Sequence, residues 1–465
     1  MKLYKYLYNK YNNNTDLFNT VRLIGGLNIN MVNKLIFKQD NFIFLYIFRL
    51  NALSILNKFK QPDWCFYELP EFAFDDISYY SIPLNVYTNK NKYKSILSKL
   101  GLELKFSENL ILDVIFDSVL LLNLTTFFLI KMGLFFLSFF QSIIFYPYLI
   151  FSYLGSIVSN TDNFFLTINS IIFNEGSFCF VMKDLNSNIN LTTYFRTHSE
   201  NFAQFERTLI VLSENSKLIY FEGCSAPMFL ESQLHIAIVE LFIKTKANLK
   251  YSTIQNWYRG NQLGEGGLYN FTTKRGFCMD KSFLNWIQIE IGSVITWKYP
   301  STYLIGNKSF SNFFSLAMLS DYQVSDTGTK MLHIGKNTKS FILSKSLSFN
   351  FSFYTYRGLV TIFKTALNSY NYTECNSLLI GCNAFTATIP YTIINNFSAY
   401  INQEATISKL ELDFLFFLLH RGLNLKSTLM ILIYGYCYNI CSKISFELEL
   451  EVPLLIVARA QKLFY

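Results

Sequence analysis

The sequence predicts a mainly β chain with helical ends, and three observations predict it. From about Asn160 onward short runs alternate apolar with polar residues, as in RTLIVLS, KLIYFEG, WIQIEIGSVITWKY and KMLHIGK, separated by Asn, Gly, Ser and Asp turns. Within one of them Ile287, Ile289 and Ile291 share a face and Gln288 and Glu290 take the other, the pattern of a strand buried on one side. From Glu404 the apolar period turns helical, in KLELDFLFFLLHRG and STLMILIYGYCYNICSKISFELELEV. The strand list fits a sandwich, a barrel or a parallel β-helix. The dipeptide Ile-Gly, repeated from Ile305, Ile334 and Ile380, hints at stacked coils.

Taken in order, the first sixty residues mix Asn and Lys with apolar runs such as FIFLYIF and read as a helical or partly ordered arm. From Gln61 to Pro83 the aromatic stretch WCFYELPEFAFDDISYYSIP, punctuated by Pro and Asp, suits an irregular docking segment. Met132 to Val158 carries no charge, and a run of that length would ordinarily read as a membrane span. Pro147 interrupts it, so a buried helical segment split near that proline is the expectation. The resulting division is residues 1–160 as a helical and irregular region, 161–403 as the β core, and 404–465 as a small helical domain. Gly422, after His420 and Arg421, is placed to cap the first C-terminal helix.

With 465 residues the chain can bury a large core. Its 48 Phe and 31 Tyr, with abundant Asn, Ile and Lys, are residues of A+T-rich codons, so composition describes a genome as much as a fold. The net charge of +8 is scattered, with no basic run interleaved with aromatics, so no nucleic-acid partner is expected. Eight cysteines without a CxxC pair, and no basic-apolar-small leader, point to a reducing compartment and away from a disulfide framework. The four histidines show no zinc spacing.

The chemistry concentrates in Gln255 to Trp297. There Cys278 follows Lys274 and Arg275, and a thiol beside fixed cations is favoured as thiolate. If the segment is extended, Lys274 and Cys278 share a face and Arg275 takes the other, making Lys274 the cation that acts on the thiol. GEGG at Gly264 and GKNT at Gly335 lack the phosphate-loop pattern and read as turns. Cys437 and Cys441 stand one helical turn apart.

The stretches GEGGLYNFTTKRGFC, GSVITWKYPS, DTGTKMLHIGKNTKS and YRGLV closely resemble the SufB family, the scaffold subunits of the SUF iron–sulfur cluster assembly machinery. The resemblance runs from PDWCFYELPEFAFDDISYYSIP through RTLIVLSENSKLIYFEGCSAP to QEATISK and ARAQKL, leaving only the first sixty or so residues outside. It implies a right-handed parallel β-helix core, whose open ends call for a partner. It implies a scaffold that accepts persulfide sulfur and builds nascent clusters, of the 4Fe–4S type, for transfer to apoproteins. The implied partners are the SufC ATPase, which supplies the ATP hydrolysis, SufD, and the cysteine desulfurase SufS with SufE; a homodimer is a further possibility. Cys278 matches the family's TKRG-x-C cysteine, implied to receive the sulfur. Cys437 matches a family GFC motif, and Glu447 a carboxylate implied at the cluster site with SufD. Leu418 stands where some bacterial members carry a cysteine. The segment ending in Tyr153 to Ser156 resembles a soluble helical segment of the family, with Phe, Ile and Leu at several of its charged places. An intact pattern in an A+T-rich sequence suggests a reduced plastid genome such as an apicomplexan's, and hence the plastid (apicoplast) stroma, for which no transit peptide is needed. Two other classes stay open: a membrane protein anchored by residues 132–158, and a β-helix enzyme acting on polysaccharide.

Overall fold

The computed structural model describes residues 20–24, 26–38, 43–70, 78–83, 110–116, 119–123, 126–173, 176–196, 203–226, 232–261, 266–444 and 456. Its centre is a parallel β-solenoid of about seven turns. The chain alternates between two sheets, so that each strand pairs in parallel with the strand one coil away. One sheet runs through Ser177–Val181, Ala203–Leu212, Ser232–Ile243, Gly267–Cys278, Ile295–Lys298, Val324–His333, Phe353–Ile362 and Phe385–Ile394. The other runs through Asn186–Arg196, Lys217–Ser225, Asn248–Asn256, Phe283–Ile291, Phe310–Leu319, Lys339–Phe349, Tyr370–Ile380 and Tyr400–Lys409. The alternating runs are therefore coils, which settles the choice among sandwich, barrel and β-helix.

Stacking explains the Ile-Gly repeats. Gly306 and Gly335 lie at successive tight turns between the sheets, and a Cβ on Gly335 would stand 2.5 Å from the Gly306 carbonyl oxygen. Gly381 lies at the opposite edge, beyond Tyr370–Ile380, so the third Ile-Gly does not join that stack. Between the sheets a continuous apolar core holds Leu218, Leu249, Leu284, Phe313, Ile342 and Val360, one per coil.

The sheets begin before residue 161, the expected start of the β core. Leu134–Ser138 pairs antiparallel with Ser177–Val181, and Leu110–Phe116 pairs parallel with Asn186–Arg196. The uncharged run is thus part strand. Ser138 caps the helix Phe139–Phe145, and a second helix, Pro147–Tyr153, starts with its proline in the first turn, where no amide partner is lost. The split at Pro147 is present; full burial is not, because Phe145, Tyr148 and Phe151 are exposed. Among the described residues no helix is long and apolar enough to cross a membrane. The run ends on Glu240, whose carboxylate accepts from the amides of Gly155, Ile157 and Val158. That carboxylate also pairs at 2.9 Å with the buried Arg207.

The arm before residue 60 contains the helices Ile29–Lys38 and Ile43–Leu56. Buried Arg49 donates to the carbonyls of Ile171 and Phe173, satisfying the C-terminal end of the helix Phe164–Ile172. Trp64 and Phe66 dock on the outer face of the first sheet, with the Arg357 guanidinium 4.9 and 5.0 Å from their rings. The C-terminal region supplies the helices Leu412–His420 and Leu425–Cys441, with Gly422 left-handed at the junction.

Two outcomes test this architecture. Gly335→Ala should cost about 1–3 kcal/mol in denaturant unfolding, because backbone of the neighbouring coil blocks the added methyl. His333 is buried neutral between Thr338 and Ser340, and burial lowers its pKa to about 4. The unfolded imidazole takes its proton near 6.5, so this contribution is complete above 6.5 and lost as pH falls toward 4. Between pH 7 and 4 wild type should lose roughly 3 kcal/mol more than His333→Gln.

Candidate functional site

The strand Gly267–Cys278 is regular through Gly276, so Lys274, Gly276 and Cys278 point inward and Arg275 and Phe277 outward. Sharing a face does not bring the lysine to the thiol. Cys278 is fully buried in the apolar half of the interior, in one cluster with Leu249, Tyr251, Leu284 and Leu304. Burial pushes its pKa up to about 12, opposed by a hydrogen bond with Ser282. The geometry does not supply the expected activation of this thiol: burial disfavours its thiolate, while Lys274 pairs with Glu222 and Arg275 with Asp162. Arg275 pairs outside with Asp162 and donates to the Ile157 carbonyl, tying the coil to the preceding loop.

Lys274 looks into the other half of the interior. Its Nζ lies 3.3 Å from Glu222 Oε1 and 3.3 Å from the Tyr251 hydroxyl, which itself donates to Glu222 Oε2 at 2.6 Å. All three side chains are buried, and they come from three successive coils. Cys224, two residues after Glu222 on the same face, has its Sγ 4.0 Å from Glu222 Oε1. Burial raises the Cys224 pKa well above the ordinary thiol value, and Glu222 and Glu206 raise it further. Lys274 and Lys298 act in the opposite direction on this same thiol. The cation that the sequence assigns to Cys278 thus serves Cys224.

A second chain of polar groups lines the same half. Buried Lys298 pairs with Glu290 and donates to Gln255 Oε1, which also accepts from Asn270. The Asn270 oxygen stands 2.9 Å from His235 Nδ1, and His235 Nε2 stands 3.4 Å from Glu206. Burial lowers the Lys298 pKa to about 8 and raises that of Glu206. Glu206 Oε1, Gln255 Nε2 and Glu290 Oε2 are buried there without a protein partner, a concentration that folding alone does not favour. The interior is accordingly divided: apolar beside the tight turns, charged and incompletely satisfied beside the opposite edge. Sequence reasoning missed Glu222, Lys298, Glu290 and His235. The available signal was a charged residue at an inward position of an alternating strand, in YFEGC, ITWKY and QIEIG.

The C-terminal candidates are placed only in part. Cys437 and Cys441 share a face of Leu425–Cys441 and are packed with Ile289, Leu316 and Leu343 of the second sheet. Burial raises both thiols, Cys441 to about 12. Glu447 lies outside the described residues. Leu418 is half-buried on a helix whose Leu412, Phe414, Phe416 and Phe417 are exposed. Among the described residues no three His, Cys, Asp or Glu side chains are grouped to hold a metal ion. Gly335–Thr338 forms one of the tight turns and leads into a strand, as the turn reading expects.

The family described as SUF system FeS cluster assembly, SufBD core domain, matches residues 195–436, which include the whole interior site. An iron–sulfur cluster assembly protein SufB of Plasmodium falciparum is 48% identical over 99% of this chain and 97% of its own length. The iron–sulfur cluster assembly SufBD family protein ycf24 of Porphyra purpurea is 43% identical over 91% of this chain and 90% of its own. The chloroplastic SufBD family protein ABCI8 of Arabidopsis thaliana is 40% identical over 95% and 80%.

The site's electrostatics can be checked by unfolding. Lys274→Met strands the buried Glu222 carboxylate and should cost about 3–5 kcal/mol, whereas Lys274→Met with Glu222→Gln should recover much of it.

Proposed function

The chain belongs to the SufBD family of SUF-system iron–sulfur cluster assembly proteins, and we propose that it is the scaffold subunit that accepts persulfide sulfur and builds nascent clusters for apoproteins. The observation that carries this reading is the charged seam inside the solenoid, where a thiol, a carboxylate and two lysines are buried together. Sulfur acceptance needs a thiolate to attack the outer sulfur of a donor persulfide. The new S–S bond forms at the acceptor, the donor's S–S bond breaks, and the donor cysteine leaves as thiolate.

Two thiols compete for the role. Cys278, with Lys274, is the acceptor that the family motif implies. Cys224 is the second reading, favoured by one observation: its thiol is the one within reach of Glu222, which can take the proton, while Lys274 and Lys298 favour the resulting negative charge. Lys274 serves the Cys224 reading, as a positioning cation.

The sulfur then joins iron to form the cluster, which is the cargo of the reaction; we assign it the 4Fe–4S type, held with the help of Cys437 and Glu447. The partners are the SufC ATPase, SufD, and the desulfurase SufS with SufE. ATP hydrolysis falls to SufC. The protein works in the plastid, and its compartment there is the stroma.

Labelled desulfurase with trapped persulfides read by mass spectrometry decides between the thiols. Cys224→Ser should lose most of the label while still assembling with its partners, and Cys278→Ser should retain it. The reverse result would return the role to Cys278, and undiminished loading of the double variant would remove both. Iron content of reconstituted Cys437→Ala and Glu447→Ala complexes tests the cluster site in the same preparation, where a fall in bound iron at constant stoichiometry is expected.

A further inference from the structure

We propose that the tight-turn edge of the solenoid is a docking surface for an anionic lipid bilayer. At this edge every coil but the last turns through one left-handed residue; Asp184 holds the first corner, and Lys246, Lys281 and Lys308 occupy three others at φ 58°, 54° and 59°. Asn215, Asn337 and Asn368 take equivalent corners, where asparagine sits with less strain than lysine. The turns are locked in register by backbone hydrogen bonds. Lys246 N donates to the Asp280 carbonyl at 2.9 Å, Lys281 N to Asn307 at 2.9 Å, and Lys308 N to Lys336 at 2.8 Å. Lys336 and Lys364 continue the row, Lys339 lies beside it, and all six lysines are exposed. Successive coils are about 4.8 Å apart, less than the ~8 Å over which physiological salt screens, so the row acts as one positive field. Of the acids on this edge, Asp280 accepts from the Asn307 amide at 2.5 Å, and Glu214 pairs with Lys183 at 2.8 Å. Asp184, at the same far end, accepts from Asn215.

Charge alone would suit any polyanion. What favours lipid is that the same turns expose apolar side chains: Met182, Met279, Phe363, Leu367 and Phe397, the last with no cover at all. Phe397 belongs to this edge because Asn396 donates to the Lys364 carbonyl at 2.8 Å. The helix Pro147–Tyr153 adds to the face. Tyr153 packs on Phe242 at 4.8 Å between ring centres and lies 5.7 Å from Lys244 Nζ, which sets the helix beside the edge. That helix exposes Tyr148 and Phe151, at 84% and 67%. Lysines read headgroup phosphates while apolar tips, aliphatic Met182, Met279 and Leu367 among them, enter the acyl boundary, a layer that a nucleic-acid duplex does not offer. With no helix able to span among the described residues, the contact is peripheral.

Vesicle co-sedimentation of the full chain tests this. The protein should pellet with equimolar phosphatidylglycerol and phosphatidylcholine and stay in solution with phosphatidylcholine alone. The combined variant Lys281→Glu, Lys308→Glu, Lys336→Glu, Lys364→Glu should lose about tenfold or more in binding. Lys330→Glu, exposed on the outer face of the first sheet, should change little. Phe363→Ser with Phe397→Ser should bind at low salt and release at physiological salt. Circular dichroism and thermal melts establish that each variant is folded. Equal binding to neutral vesicles, unchanged binding of the fourfold variant, or tighter capture by duplex DNA than by the anionic vesicles at equal ionic strength would each overturn the proposal.

Discussion

Parallel in-register stacking is the constraint on which everything else in this molecule depends. A side chain pointing inward from one coil meets the equivalent positions of the coils on either side and the inward side chains of the facing sheet, and little else. For Leu249, Leu284 and Phe313 this yields a thin, continuous apolar core. For a charged residue it means that the partner must come from a nearby coil at a matching depth. Lys274 meets Glu222, 52 residues earlier, on those terms, and Tyr251, from the coil between, bridges them. A buried ion pair gains little net stability against an apolar replacement of the same shape. A solenoid could fill these positions with Val and Ile, as it does beside the tight turns, so the charged seam is better explained by chemistry than by folding.

The same geometry separates what was legible in the sequence from what was not. Alternation along Phe283–Ile291 is a local property and it is present, but its faces are exchanged and both are buried: Gln288 and Glu290 point into the solenoid beside Leu284 and Trp286, while Ile287, Ile289 and Ile291 lie outside it under the C-terminal helix. The shared face of Lys274 and Cys278 is local too, and it is present. What a face cannot supply is depth. Those two residues are four apart on an extended strand, so the lysine opens toward the polar edge while the thiol closes the apolar one. Apart from Glu222, the charged groups that act on Cys224 are far along the chain, and no spacing rule connects Glu222 with Lys274. Arg275 takes the opposite face, as the extended pattern expects, but its partner Asp162, in the loop packed outside the first sheet, is beyond any local pattern.

The uncharged run shows how composition misleads. Its residues satisfy three different environments in succession. Leu134 to Leu137 join the first sheet and are buried; Phe139 and Ile143 pack under the helices; Phe145, Tyr148 and Phe151 face out. Hydropathy averaged over the stretch merges these into one apparent span. Pro147 is the residue that breaks the average, because it can begin a helix and cannot continue one.

The two ends of the solenoid are finished differently, and this asymmetry bears on how such a scaffold is used. At the first end the antiparallel strand Leu134–Ser138 and the helices behind it cover the coil, with Phe139, Phe165 and Phe173 in the packing. At the other end Phe385–Ile394 and Tyr400–Lys409 are the last strands of their sheets, and among the described residues nothing pairs with their outer edges. Tyr391, Ile394, Tyr400 and Ile407 are exposed there. An unpaired parallel edge carrying apolar side chains is a template for another strand. The charged seam lies in the middle coils and the unpaired edge at one end, so a strand added at that edge would leave the interior chemistry undisturbed.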